Sequence, residues 1–264
     1  MKTTLTKYLP ANCVVNICVS NGVIGCNMDI PYTPLEVEGG AALSACFYPN
    51  IPGLQVKKYS IARKNFSIDD ILTADVPVKA LLIFVTNRGS YVVNELLIRS
   101  LWGKKVQVAV GGGVTELTDS LLGSILAFSG PNVEVASILI GYVDREKEIR
   151  SKLKALKETG LHNQDCFAYM FSTIERGTCI HSKVNLESSI FSEIFPNIPI
   201  TGLFGYHVFG ANFLPHLKLK TWNLDHGHFV KTRKNYRYGH CTVFVLIAVK
   251  KDNNCEIIKD KESV

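Results

Sequence analysis

Gly111-Gly112-Gly113 follows an apolar run, Val106 to Val110, in the place where a phosphate-binding loop leaves a strand. Such loops need more than glycine: a Lys with a Ser or Thr to reach the phosphates, or G-x-G-x-x-G spacing opening a helix. Neither is present, so the three glycines read as a tight backbone passage. Gly123-Ser124 does not complete G-x-S-x-G, the strained turn that exposes a serine nucleophile, and no catalytic residue is assigned. His226 and His228, after Asp225 and before His240, put two imidazoles at the alternating spacing of one strand face. No third ligand is fixed by spacing, so the stretch reads as a solvated loop, with no metal and no cofactor expected.

The same region carries Lys218, Lys220, Lys231, Arg233, Lys234 and Arg237 among Trp222, Phe229, Tyr236 and Tyr238. Cations interleaved with aromatic rings suit an RNA-binding surface, where phosphates are neutralised and bases stacked. An exposed basic hairpin, or a docking surface for an acidic protein segment, uses the same residues. A net charge of +6 over 264 residues falls short of the excess expected of a dedicated nucleic-acid binder, so nucleic acid is not the expected partner.

With 47% hydrophobic and 20% charged residues, the chain can bury a core. Its eight cysteines (13, 18, 26, 46, 166, 179, 241 and 255) sit mostly in apolar runs, form no C-x-x-C, and read as buried free thiols in a reducing compartment. No apolar h-region opens the chain, and no apolar run reaches the roughly 18–20 residues of a membrane helix. A cytoplasmic or nuclear location, away from membranes, is expected.

The elements that must position these residues follow from periodicity and breakers. Strands are predicted at Cys13 to Val19 and Val23 to Gly25, pairing through Asn21-Gly22, and at Leu54 to Tyr59, Lys79 to Thr86 and Val106 to Val110. Further strands are predicted at Gly123 to Gly130 and Val133 to Gly141, joined hairpin-like by Gly130-Pro131-Asn132, then at Cys166 to Phe171, Ile198 to Phe204 and Cys241 to Val249. Helices are predicted at Ala41 to Phe47, at Tyr91 to Trp102 closed by Gly103, and after Asp144 as cap, with Ile149, Leu153 and Leu156 as its stripe. Glu146 to Arg150 and Glu148 to Lys152 are favourable i,i+4 pairs there. A last helix runs from Asn185 to Phe195, where Leu186, Ile190 and Ile194 recur and Pro196 stops it. The total is a mixed α/β fold with helices on one face of each sheet. Tyr48-Pro49-Asn50-Ile51-Pro52 echoes Phe195-Pro196-Asn197-Ile198-Pro199, which suggests an internal duplication.

Met170-Phe171-Ser172-Thr173-Ile174-Glu175-Arg176-Gly177, then Phe195-Pro196-Asn197-Ile198-Pro199, then Gly202-Leu203-Phe204-Gly205-Tyr206-His207-Val208-Phe209-Gly210 appear in that order. This order resembles the FIST family pattern M-F-A-C-x-G-R-G, F-P-x-x-P and G-F-F-G-N-G-E-I-G. Leu9-Pro10, Tyr48-Pro49 with Gly53-Leu54, Leu81 to Thr86 and Val108 to Gly112 extend the likeness over nearly the whole chain. It implies two similar halves, FIST-N-like at 1–142 and FIST-C-like at 143–250, with a polar tail at 251–264. The family's cysteine is Thr173 here, the first glycine of G-R-G is Glu175, and G-E-I-G reads His207-Val208-Phe209-Gly210.

In F-box proteins a FIST pair recognises the substrate of an SCF-type ubiquitin ligase. The resemblance therefore implies a non-enzymatic module that binds a client protein for ubiquitin-dependent degradation. Nothing before Leu9 is long enough for an F-box, so ligase components are expected as partners only if an F-box is supplied elsewhere. The alternative that the wider family implies is a sensor of an amino-acid-like small ligand. Arg176, Gly177, Gly205, Tyr206 and His207 are the candidate ligand- or partner-binding residues under either reading.

Overall fold

The computed structural model describes all residues except 1–6, 11–12, 28, 31, 62–65, 74, 103–105, 119–121, 216–234 and 251–264. The strands are β1 (Cys18–Val19), β2 (Gly22–Cys26), β3 (Pro34–Glu38), β4 (Gln55–Ile61), β5 (Val78–Thr86), β6 (Ala109–Thr115) and β7 (Leu117–Thr118), followed by β8 (Gly123–Ser129), β9 (Val133–Ile140), β10 (Asp165–Thr173), β11 (Ile200–Gly205), β12 (Val208–Gly210), β13 (Arg237–Tyr238) and β14 (Thr242–Val249). Five α-helices lie among the described residues: α1 (Ile68–Leu72), α2 (Asn87–Leu97), α3 (Glu146–Lys157), α4 (Thr178–His181) and α5 (Leu186–Ile194).

Two six-stranded mixed sheets form the body of this mixed α/β fold. One has the order β13-β12-β6-β5-β8-β4, the other β3-β2-β11-β10-β14-β9. Their pairing is the same strand for strand. Each has one parallel pair, β5 with β6 or β10 with β11, and every other neighbour is antiparallel. The run β4-α1-β5-α2-β6-β8 thus recurs as β9-α3-β10-α5-β11-β14. Each sheet is completed by two strands from outside its own run: β12 and β13 join β6, while β2 and β3 join β11. Strands from both sides of residue 142 therefore stand in both sheets.

Four layers result, and the alternation of side chains along the central strands sets them. Leu82 and Phe84 of β5 meet Tyr169 and Phe171 of β10 and Val243 and Val245 of β14 between the sheets. Leu81, Ile83 and Val85 point the other way, onto Ile68 and Ile71 of α1 and Val93 and Leu97 of α2. Met170, Phe244 and Leu246 likewise face Ile149, Leu153 and Leu156 of α3 and Ile190, Phe191 and Ile194 of α5. Strands covered on both faces read as continuous apolar runs, which is why β5, β10 and β14 stand out in the sequence.

Several expectations are corrected. Gly111, Gly112 and Gly113 do not end a strand but lie inside β6. A Cβ at Gly112 would stand 2.2 Å from the Ile83 carbonyl oxygen, and one at Gly111 would stand 2.4 Å from a Val245 methyl. The glycines let β6 press against β5 and the opposite sheet, and they are closed to a phosphate. β8 and β9 are not a hairpin, since Gly130-Pro131-Asn132 carries the chain from one sheet to the other. β1 pairs with β7 rather than β2, and β2 pairs with β3, a strand absent from the sequence prediction. Only Cys18–Val19 of the run from Cys13 is strand.

Ala41 to Phe47 is not helical. Its small residues offer no apolar stripe, and Ser44 ties the segment to Ile24 O (2.9 Å) and the Thr201 hydroxyl (3.0 Å). The helical run of α2 begins at Asn87 and passes at Ile98 into a π-helical turn, while Gly103 lies outside the described residues. Arg145, not Asp144, is the N-cap of α3. The Asp144 carboxylate instead accepts from Gly141 N (2.5 Å) and takes Lys152 (2.6 Å), leaving Glu148 to accept from Arg145 N (3.1 Å). All seven described cysteines are free thiols, but only Cys241 is buried. The Pro-Asn-Ile-Pro echo occupies unlike places: the first copy precedes β4, first strand of its run, and the second precedes β11, third strand of its own. No described helix is long and apolar enough to cross a membrane.

Candidate functional site

The parallel pair β10 and β11 ends with Thr173 opposite Gly205. In α/β sheets the carboxyl ends of parallel strands are where loops gather and ligands are met. Here the loops from β10 (Ile174–Arg176, a 3-10 turn) and β11 (Tyr206, His207) come together, along with residues 141–145 after β9 and 239–241 before β14. All five candidate residues from the sequence, Arg176, Gly177, Gly205, Tyr206 and His207, fall at this end. They do different things.

Arg176 is 1% exposed, and its guanidinium is fully engaged. Nε donates to Glu187 Oε1 (2.9 Å), Nη1 to the carbonyls of Gly141 (2.6 Å) and Tyr142 (3.5 Å), and Nη2 to Asp144 O (3.4 Å) and Glu187. His181 Nε2 adds a bond to the same Glu187 oxygen (2.9 Å). Burial alone would push the Glu187 carboxyl up, but His181 and Arg176, with Thr242, hold it below the usual carboxylate range. An arginine has five N–H donors, and this one spends them pinning α5 and the β9–α3 loop to the end of β10. Arg176 is a buried clamp with nothing left for a ligand. Gly177 gives room to Glu38, whose carboxylate accepts from Thr178 N (3.0 and 3.1 Å) and the Thr178 hydroxyl (3.0 Å).

Gly205-Tyr206-His207 carries the chain from one sheet to the other. Tyr206 N donates to Val114 O (3.1 Å) and Val114 N to His207 O (2.8 Å), so the crossing is laced to β6. A Cβ at Gly205 would lie 2.5 Å from Val114 O. The crossing leaves Tyr206 47% exposed and brings His207 against Arg237 of β13, whose Nη2 donates to His207 Nδ1 (3.1 Å). Accepting at Nδ1 makes His207 the neutral tautomer with its proton on Nε2. Burial, and Arg237 beside it, hold its pKa below the ordinary histidine value, while Glu175 pulls the other way. The Arg237 guanidinium lies over the ring of Tyr91, 4.5 Å from its centroid. Around this pair, Tyr91 is 64% and Tyr142 51% exposed, and Tyr142 contacts the His240 ring at 5.4 Å.

Of the basic residues named from the sequence, only Arg237 is described; Lys218, Lys220, Lys231, Arg233 and Lys234, with His226 and His228, lie outside the described residues. Among the described residues no three His, Cys, Asp or Glu side chains converge to hold a metal ion. Sequence reasoning missed Glu187 as the partner of Arg176. Its signal was there: Glu187 stands four residues before Phe191 on the buried stripe of α5, where an acid requires a cation. The Tyr91–Arg237 contact joins residues far apart in sequence and left no such signal. No protein-family model matches the chain, and no curated protein matches it as a relative.

Proposed function

We propose that the chain is a non-enzymatic recognition module of the FIST type, which holds a client protein against the end of its paired sheets for ubiquitin-dependent turnover in the cytoplasm or nucleus. It would do so as the corresponding part of F-box only protein 22 does, with ligase components reached through an F-box supplied elsewhere. The observation that carries the reading is the rim of exposed Tyr91, Tyr142 and Tyr206 at this end of the sheets, with Arg237 held against Tyr91 and Tyr142 against His240. Tyr and Arg are enriched among the residues that carry binding energy at protein interfaces, Tyr by burying a large rigid ring and Arg by its planar set of donors. The rim stands on a base that Arg176 makes rigid, and that is what a recognition surface needs. The test is a photo-crosslinking amino acid placed at Tyr206 or, as a control, at exposed Lys147 on α3. A discrete protein adduct from position 206 alone, whose turnover slows when the chain is removed, supports the reading. Equal adducts from both positions, or none, sink it.

A second reading, a sensor of an amino-acid-like ligand, draws on one observation. Glu175 Oε2 and Arg237 Nε are both buried without a partner among the described residues, and a zwitterion carries the complementary groups. Thermal shift across amino acids tests it: a ligand at 100 times Kd stabilises by about 2.7 kcal/mol, and no shift removes it.

A further inference from the structure

We infer that Arg237 is the anchor of the recognition face, and that the partner segment it takes is acidic, offering a side-chain carboxylate to the uncommitted N–H groups of the guanidinium. The inference rests on the recognition reading above and names the chemistry of the partner at the same site.

Arg176 and Arg237 both lie at this end of the molecule, and they are opposites. Arg176 has every N–H committed within the chain. Arg237 commits one, to His207 Nδ1 (3.1 Å), and its guanidinium makes no other hydrogen bond among the described residues. Its position is nonetheless fixed, by the Tyr91 ring on one face (4.5 Å), by the His207 lone pair at one nitrogen, and by β13, where Arg237 pairs with Phe209 of β12. Tyr236 N also donates to Asn94 Oδ1 of α2 (3.0 Å), which ties the start of β13 to the helix that carries Tyr91. A guanidinium oriented in advance, with a planar fork unspent, is the group that takes a carboxylate in two parallel hydrogen bonds and loses little entropy in doing so. The exposed ring of Tyr91 lies against it and supplies apolar contact.

The charges nearby select a carboxylate over a phosphate. Glu175 acts on His207 from the β10 loop, and its carboxylate holds the local potential less positive than an arginine and two histidines would. A singly charged carboxylate tolerates that neighbour better than a phosphate carrying nearly two charges. The chain's net charge of +6 draws an acidic segment in at long range, where a neutral one gains nothing.

The test uses the purified full chain and three fluorescein-labelled octapeptides that share one glycine-serine frame: one with Glu at three positions, one with Gln there, one with phosphoserine. Fluorescence anisotropy reads binding to the wild type and to Arg237→Gln, Arg237→Lys, Tyr91→Ala and Arg99→Gln. Arg99 is an exposed arginine in the π-helical turn after α2, paired with Glu95, and serves as the control. The Glu peptide should bind, more weakly as salt rises, and the Gln peptide should not. Arg237→Gln should weaken the Glu peptide by on the order of tenfold or more, the loss of a charge-assisted pair. Arg237→Lys should recover only part of this, because an ammonium lacks the fork, and Arg99→Gln should change nothing. Wild-type affinity in Arg237→Gln, equal binding of the Gln peptide, or tighter binding of the phosphoserine peptide overturns the inference. If Arg237→Gln fails to fold, Arg237→Lys and Tyr91→Ala decide it, since both must weaken the Glu peptide. A crosslinked client that still joins Arg237→Gln through position 206 leaves the recognition reading standing and removes the anchor. Loss of the position-206 adduct in the wild type fails the reading itself.

Discussion

Replacing Arg176 with methionine removes the clamp beneath the proposed recognition face, and its cost follows from what is left behind. Glu187 is 2% exposed and would remain a buried carboxylate without its guanidinium, a situation that costs about 3–5 kcal/mol. The carbonyls of Gly141, Tyr142 and Asp144 would each lose a donor, at about 1 kcal/mol apiece. The sum rivals the roughly 5–15 kcal/mol that holds a whole domain together. Urea unfolding at pH 7.5 should therefore show R176M largely or wholly unfolded, with R176K between it and the wild type. The double variant R176M/E187L should recover most of the carboxylate part of the loss, because the orphaned charge is gone. pH gives a second handle. In the wild type Glu187 is held below its ordinary value, so its contribution is present above the usual carboxylate range and is lost as pH falls through the folded value. Without Arg176 the Glu187 carboxyl rises, so the deficit of R176M should shrink towards pH 5. A deficit below about 1 kcal/mol, or no relief from E187L, would refute the clamp.

Gly112→Ala drives a methyl into the Ile83 carbonyl at a φ of +156°, and should cost several kcal/mol or abolish soluble expression. Ser182 ends α4 at a φ of +53°, and glycine relieves that conformation; S182G should gain about 0.5–1 kcal/mol in thermal unfolding. Burial and the adjacent Arg237 depress His207, so the unfolded chain binds the proton better, and stability should fall as pH drops through the ordinary histidine range. His207→Gln should flatten that part of the stability curve. Glu36 is pushed up by burial although it accepts from Ser188 N (3.0 Å); glutamine can keep that bond without the charge, so E36Q should match or exceed wild-type stability at pH 7.5 and lose any advantage in acid.

The elements most legible in the sequence were those buried on two faces or striped on one. β5, β10, β14 and α3 were all readable, because burial writes itself into apolar periodicity. β3 was not: Pro34-Leu35-Glu36-Val37-Glu38 is an edge strand whose acids serve neighbouring helices, with Glu38 bound to Thr178 and Glu36 to Ser188. The four-layer arrangement was hidden for a different reason. Strand order depends on which chain segment crosses between sheets, and the glycines that permit close approach at β6 look in sequence like an ordinary loop. At the candidate site, the FIST-like motif brought the eye to Arg176 and His207 together, yet only geometry separates an arginine that is fully spent from Arg237, which is not. The Phe-Pro-Asn-Ile-Pro echo pointed to repetition from positions that are not equivalent, while the repeated strand order itself carries no short motif.

Hydrogen exchange of the chain, alone and bound to any client captured at position 206, tests the proposed recognition face most directly. Slowed exchange at residues 114–116, 205–208 and 237–241, with β4 and β9 unchanged, is the predicted result. Protection along β4 or β9, with these loops exchanging as in the free chain, would place the client elsewhere and contradict the account.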